Sequence, residues 1–128
     1  MRPRLLDLFC GAGGAAMGSL ESERAWAAGF FDGEGSTSVC RDKRPGRKVA
    51  CSLSIEQTDM RPLVRFKDAV GWRGNIVQRA PRAPRRKTLY RIYMTNARTV
   101  ATMQALWPWL SEPKREQFLR VCREVDAE

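Results

Sequence analysis

Two carboxylates, Asp32 and Glu34, close the run Ala27-Ala28-Gly29-Phe30-Phe31-Asp32-Gly33-Glu34-Gly35. The run reads as the end of a helix entered through Ser22-Glu23-Arg24-Ala25-Trp26. Ser22 can serve as N-cap, Glu23 suits the first turn, and Gly35 offers a φ > 0 residue to stop the helix. Acids at the negative end of a helix dipole are unfavourable unless a cation compensates, which points to a metal. Ala25, Gly29 and Gly33 recur every four positions, and a stripe of small residues lets two helix backbones approach closely. The interface expected from this stripe and its neighbours comprises Ala25, Ala28, Gly29, Asp32 and Gly33. A two-fold pairing of the helix with a copy of itself brings two Glu34 carboxylates near one spot. Such a pair suits Mg²⁺ (or Mn²⁺), a hard ion that prefers oxygen.

The remaining composition narrows the chemistry. The 128 residues include no His, which excludes imidazole bases, His-metal fingers and Ser-His-Asp triads. Carboxylates and lysines are left. Cys10, Cys40, Cys51 and Cys122 lack C-x-x-C spacing and read as free apolar residues of an intracellular protein. Lys and Arg outnumber Asp and Glu by 23 to 14, a net charge of +9 that suits a polyanion. No apolar run approaches the roughly 20 residues of a membrane span, and no targeting signal is read, so the expected location is the cytoplasm or nucleoid.

The run AAGFFDGEG closely resembles the LAGLIDADG motif of homing endonucleases, with Ala27 for the first Leu and Glu34 for the last Asp. The resemblance implies an α+β domain of αββαββα order whose four antiparallel strands form a DNA-binding saddle. It implies a homodimer, because the chain carries one motif. It also implies phosphodiester hydrolysis in which a divalent ion polarises the phosphate and lowers the pKa of the attacking water. Glu34, together with Gly33, would hold the metal. Asp59, or Gln57 as the alternative, would order water beside it, and Lys114 would stabilise charge at the cleavage site. A non-cutting RNA-binding maturase and a DNA-binding regulator on the same fold compete with the nuclease; retention of Glu34 favours cleavage.

The elements that must position these groups follow from periodicity. Ser36 to Lys43 alternates as a strand, Arg44-Pro45-Gly46-Arg47 is a turn, and Val49, Cys51, Leu53 and Ile55 form the apolar face of a second strand. A helix over Pro62–Val70 ends at Gly71. A second hairpin joins residues 75–79 to 89–94, Asn96 caps another helix, and Ser111 restarts a last one through Phe118, Val121, Cys122 and Val125.

Basic residues concentrate in the two hairpins: Arg41, Lys43, Arg44, Arg47 and Lys48 in the first, and Arg79, Arg82, Arg85, Arg86 and Lys87 in the second. A β-ribbon can enter the major groove, with strand side chains reading bases and flanking cations meeting phosphates. Alternation assigns Ser38, Cys40, Asp42, Ser52, Ser54, Glu56, Arg79 and Arg91 to the face turned toward double-stranded DNA. Trp26, Trp107 and Trp109 are expected in the core.

The N-terminal stretch carries a second resemblance. Asp7-Leu8-Phe9-Cys10-Gly11-Ala12-Gly13-Gly14 is similar to the S-adenosylmethionine-binding motif of DNA cytosine-5 methyltransferases, preceded by what reads as a short apolar strand from Arg4. No Pro-Cys nucleophile follows and no βα repeat completes a doubly wound sheet, so S-adenosylmethionine is not an expected cofactor. Residues 1–20 are expected to be a host-derived leader, and residues 21–128 the endonuclease domain of a mobile element inserted in a methyltransferase gene.

Overall fold

The computed structural model describes residues 4–6, 19–41, 46, 48–80 and 87–128. Asp42, Arg44, Arg82, Arg85, Arg86 and the Asp7–Gly18 motif lie outside the described residues. In chain order the elements are α1 (Ser19–Glu34), β1 (Gly35–Cys40), β2 (Ala50–Gln57), α2 (Met60–Val70), β3 (Val77–Arg79), β4 (Leu89–Thr95), α3 (Ala97–Leu106) and α4 (Glu112–Asp126). A 3₁₀ turn, Trp107–Trp109, joins the last two helices. Pro108 lies inside this turn, where its missing N–H breaks the α-helical ladder.

The four strands form an antiparallel sheet in the order β1-β2-β4-β3. Its two faces separate as strict alternation requires. Cys51, Leu53, Ile55, Ile92 and Met94 are buried beneath the helices, among Ala27, Ala28, Phe31, Leu63, Phe66, Met103, Leu106 and Phe118. The other face carries Ser36, Ser38, Ser54, Glu56, Arg91 and Tyr93, polar groups with no helix over them. Thr37 on the edge strand donates its backbone N–H to Gln117 Oε1 at 3.1 Å, which occupies a group that an open edge would leave unpaired.

Several local expectations are corrected by packing. The first helix starts three residues before Ser22, so Ser22 is not its N-cap. Gly35 is the first residue of β1 and has no positive φ. Its missing side chain matters for another reason: a Cβ there would stand 2.3 Å from Phe31 Cδ2. Gly71, by contrast, does close α2 in the left-handed region at φ 70°. Asn96 precedes α3 at φ 50° but makes no side-chain capping bond. Trp26, Trp107 and Trp109 are half-buried against the core rather than inside it. Cys40, Cys51 and Cys122 are free, and burial pushes the Cys122 thiol up to about 12.

Leu5 and Leu6 are helical rather than extended. Their backbone N–H groups reach the Asp126 carboxylate at 3.0 and 3.5 Å, and Leu5 is buried in the core beside the end of α4. Leu5 and Leu6 are therefore packed on the domain. Leu5→Ala should cost about 2–3 kcal/mol of folding stability, measured by urea unfolding, since it empties a buried site. An unchanged midpoint would show that Leu5 contributes no net burial.

Candidate active site and nucleic-acid interface

Register determines which functional groups share an end of the sheet. Cys40 pairs with Ala50 and Ser52 with Thr95, so the tip of the β1–β2 hairpin lies at one end. Gly35 pairs with Ile55, Gln57 with Tyr90 and Arg79 with Leu89, so Glu34, the end of β2 and the tip of the β3–β4 hairpin lie at the other. The two basic hairpins thus stand at opposite ends of one face, and only the second shares its end with the motif carboxylate. Eight residues of β2 span about 26 Å, roughly the rise of seven or eight stacked base pairs.

Glu34 ends α1 with an exposed side chain that has no hydrogen bond or ion pair to any described residue. Asp32 behaves differently. Its carboxylate accepts the Ser111 backbone N–H at 3.1 Å and the Ser111 hydroxyl at 2.9 Å, so this acid is engaged within its own chain. Lys114, one turn into α4, donates from Nζ to the Gly35 carbonyl at 2.6 Å and lies 5.7 Å from the centre of the Phe31 ring. It is therefore tied to the residue next to Glu34.

The expected stripe is partly at the surface. Gly29 and Gly33 are exposed, and a Cβ added to either meets nothing within 4 Å. Ala25 is half-buried. Ala28 is fully buried in the chain's own core, because it follows Ala27 and faces Phe31 one turn on; a partner cannot reach it. Asp32, for its part, is spent on α4 as described.

At the end of β2, Gln57 makes no side-chain hydrogen bond to a described residue, whereas Asp59 caps α2. Its Oδ1 accepts the Arg61 N–H at 2.9 Å, and both its oxygens accept from the Arg61 guanidinium. Those bonds hold the Asp59 carboxyl at about 2. A carboxyl with a depressed folded pKa stabilises while ionised, fully above its unfolded value near 3.9, and loses that contribution as pH falls through the folded value. Thermal melts of wild type and Asp59→Ala should therefore differ by a constant amount above about pH 4 and converge toward pH 2. A gap that is undiminished at pH 2 would assign the stabilisation to another group. Between the two proposed water-ordering residues, the unengaged Gln57 is the better placed.

On the open face, Arg79 donates to Glu56 at 2.6 Å, and Arg91 lies 4.0 Å from the same carboxylate while stacking 4.4 Å over Tyr93. Glu56 thus holds two guanidiniums upright on the face read as DNA-facing. Ser38 and Ser52 share a hydroxyl pair at 3.0 Å, and Ser52 is only 3% exposed, which leaves it little surface for a ligand. Tyr93 reaches across β2 to donate to Cys40 Sγ at 3.2 Å, a bond that pushes the phenol pKa up. Arg41 pairs with Glu128 at the chain's end. Sequence reasoning missed Ser111, Gln117 and Tyr93 as partners of site residues, since each contact joins positions more than fifty residues apart and leaves no local pattern.

The donor chemistry fits a hard divalent ion only in part. Among the described residues no group of three His, Cys, Asp or Glu could hold a metal. At the end of α1 the described residues offer one carboxylate without a bonded partner, Glu34, which is a hard oxygen donor of the kind such an ion prefers. No described helix is long and apolar enough to cross a membrane.

No protein-family model and no curated protein sequence matches the chain. Solved structures do. The homing endonuclease I-CvuI in complex with its target, in the presence of Ca, superposes with a TM-score of 0.62 at 18% identity, covering 83% of this chain and 69% of that one. The I-LtrWI LAGLIDADG homing endonuclease bound to target DNA gives 0.66 at 20% identity, over 84% of this chain but 37% of that one. The archaeal intron-encoded homing endonuclease I-Vdi141I complexed with DNA gives 0.60 at 22% identity, covering 81% and 66%. The architecture is the αββαββα fold of LAGLIDADG homing endonucleases.

Proposed function

We propose that this chain is one protomer of a homodimeric, divalent-metal-dependent homing endonuclease that cuts double-stranded DNA. The observation that carries the reading is Glu34: an exposed carboxylate, without a bonded partner among the described residues, at the end of a helix with open small residues and at the end of the sheet where β3 leads to β4. Asp32, by contrast, is bonded within its own chain. An acid at the negative end of a helix is mildly disfavoured, and a bound cation would offset that cost.

In this reading the two α1 helices pack along Ala25, Gly29 and Gly33, and Glu34 of each protomer, with Gly33, would hold Mg²⁺. A bound ion would supply Lewis-acid polarisation of the phosphate and a water of lowered pKa. Gln57, with Asp59 as the more constrained neighbour, orients water. Lys114 places positive charge beside the scissile phosphate. Ser38, Cys40, Ser54, Arg79 and Arg91 face the groove, Arg79 and Arg91 being suited to guanine O6 and N7, and Asp42, Arg44, Arg82, Arg85 and Arg86, outside the described residues, are further candidates for contact.

The test uses Mg²⁺ and two duplexes: the uninterrupted methyltransferase-gene sequence encoding the Gly11-Ala12-Gly13-Gly14 stretch, and the same sequence interrupted after the Gly18 codon. Cleavage of the first alone is expected, within a pseudo-palindromic site spanning the junction, because identical protomers read both halves. Equal cutting of both, or of neither while unrelated DNA is cut, would refute the assigned target. Binding without cutting would favour the regulator, and tighter binding to the intron RNA the maturase.

A further inference from the structure

Three residues that flank Glu34 are tied to one face of α4 and its cap. Asp32, two positions before, accepts both the N–H and the hydroxyl of Ser111. Gly35, one position after, offers its carbonyl to Lys114 Nζ at 2.6 Å. Thr37, three positions after, sends its N–H and hydroxyl to Gln117 Oε1 at 3.1 and 3.4 Å. Ser111, Lys114 and Gln117 are spaced by three, so they lie along one side of the helix. Glu34 itself touches none of them. Its backbone is held from both directions by a single rigid element about eighty residues away, while its side chain stays free.

We infer that Asp32 is a positioning residue: with Ser111 and Gln117 it docks the start of α4 against the α1–β1 junction and thereby aims Glu34 and Lys114 at a common phosphate. The inference rests on the endonuclease reading and deepens it. It gives the first acid of the motif a task different from that of the second. The geometry supports this division, because a carboxylate already accepting two donors from one residue, across an otherwise bare helix N-terminus, satisfies groups that α4 would leave open. An acid committed in this way has little left to offer a metal. Supporting shells of this kind are where a site gains or loses its geometry.

The clamp predicts a graded series in single-turnover cleavage with Mg²⁺. Asp32→Ala should lower the rate about 10–100-fold with DNA affinity unchanged. Asp32→Asn should stay close to wild type, because an amide can accept the Ser111 N–H and donate to its hydroxyl. Ser111→Ala should be intermediate and Ser111→Thr should restore the rate. Glu34→Gln, run beside them, separates the two readings: full cleavage by that variant sinks the role of Glu34. Asp32→Asn as inactive as Asp32→Ala sinks the clamp alone, since the charge itself would then be required. So would a wild-type rate for Asp32→Ala, or a loss of binding in step with cleavage.

Amide exchange on DNA-free protein decides the clamp without any cleavage. In Asp32→Ala, and more mildly in Ser111→Ala, the backbone amides at positions 111 and 37 should exchange about tenfold faster while those of Leu53 and Ile92 keep their protection. Unchanged exchange at Ser111 and Thr37 would overturn the proposal.

Discussion

Glu34→Gln should abolish Mg²⁺-dependent cleavage, by at least about a thousandfold, while leaving the fold and the affinity for DNA in place. The side chain is exposed and bonded to no described residue, so an isosteric amide disturbs no packing and breaks no internal contact. What it removes is anionic charge at the negative end of α1. A hard divalent ion discriminates sharply between a carboxylate and an amide. Losing a ligand from both protomers at once removes the pair that makes the site, and the several kcal/mol supplied by a bound ion account for the magnitude. Gel-shift affinity and single-turnover rates on the same preparation are the measurement. Undiminished cutting would show that another group holds the metal. A parallel collapse of binding would show that Glu34 acts on DNA directly.

The second large effect is expected from Gly29→Leu, and its two halves point in opposite directions. Within the protomer the site is open: a Cβ at Gly29 meets nothing within 4 Å, and Leu is the better helix former by close to 1 kcal/mol. The isolated protomer should therefore melt at the same temperature or slightly higher. Between protomers the added side chain separates two helices that need small residues to touch. Light scattering should then report a monomer. The affinity for a full two-half-site duplex should fall about 100-fold or more, because the second half-site is no longer delivered at high effective concentration. Wild-type protein that is monomeric with and without DNA, or a Gly29→Leu variant that still dimerises, would refute the helix pairing. Because association itself stabilises a dimeric wild type, melting is compared at a dilution where both proteins are monomeric; a loss in the variant there would show that Gly29 packs within its own chain.

Local pattern carried most of the fold. Alternation placed Cys51, Leu53 and Ile55 on the buried face and Arg91 on the other, and the strands of both hairpins pair as read. Gly71 ended its helix as read, since a positive φ is a property of a few adjacent residues. Element ends were less legible. The start of α1 and the extent of β3 depend on packing, which a strand or helix pattern does not record.

The motif run and the absence of His were likewise decided by the sequence, because they limit which atoms are available for chemistry. Where those atoms point was decided elsewhere. Asp32 and Glu34 are two residues apart and chemically alike. One is bonded to Ser111 because α4 folds back onto the end of α1, and the other is exposed with no bonded partner among the described residues. Ala28 and Gly29 are adjacent small residues, yet one lies in the core and the other at the surface, since successive helix positions differ by about 100°. Gly35 reads as a helix stop, but the ring of Phe31 is what requires it. Strand register, a long-range property, set Glu34 at the end of the sheet where β3 leads to β4 and at the opposite end from the β1–β2 connection. The residue types thus follow from the sequence, whereas the distinction between a carboxylate bonded within the chain and an exposed one depends on contacts about eighty residues apart, which only the folded chain brings together.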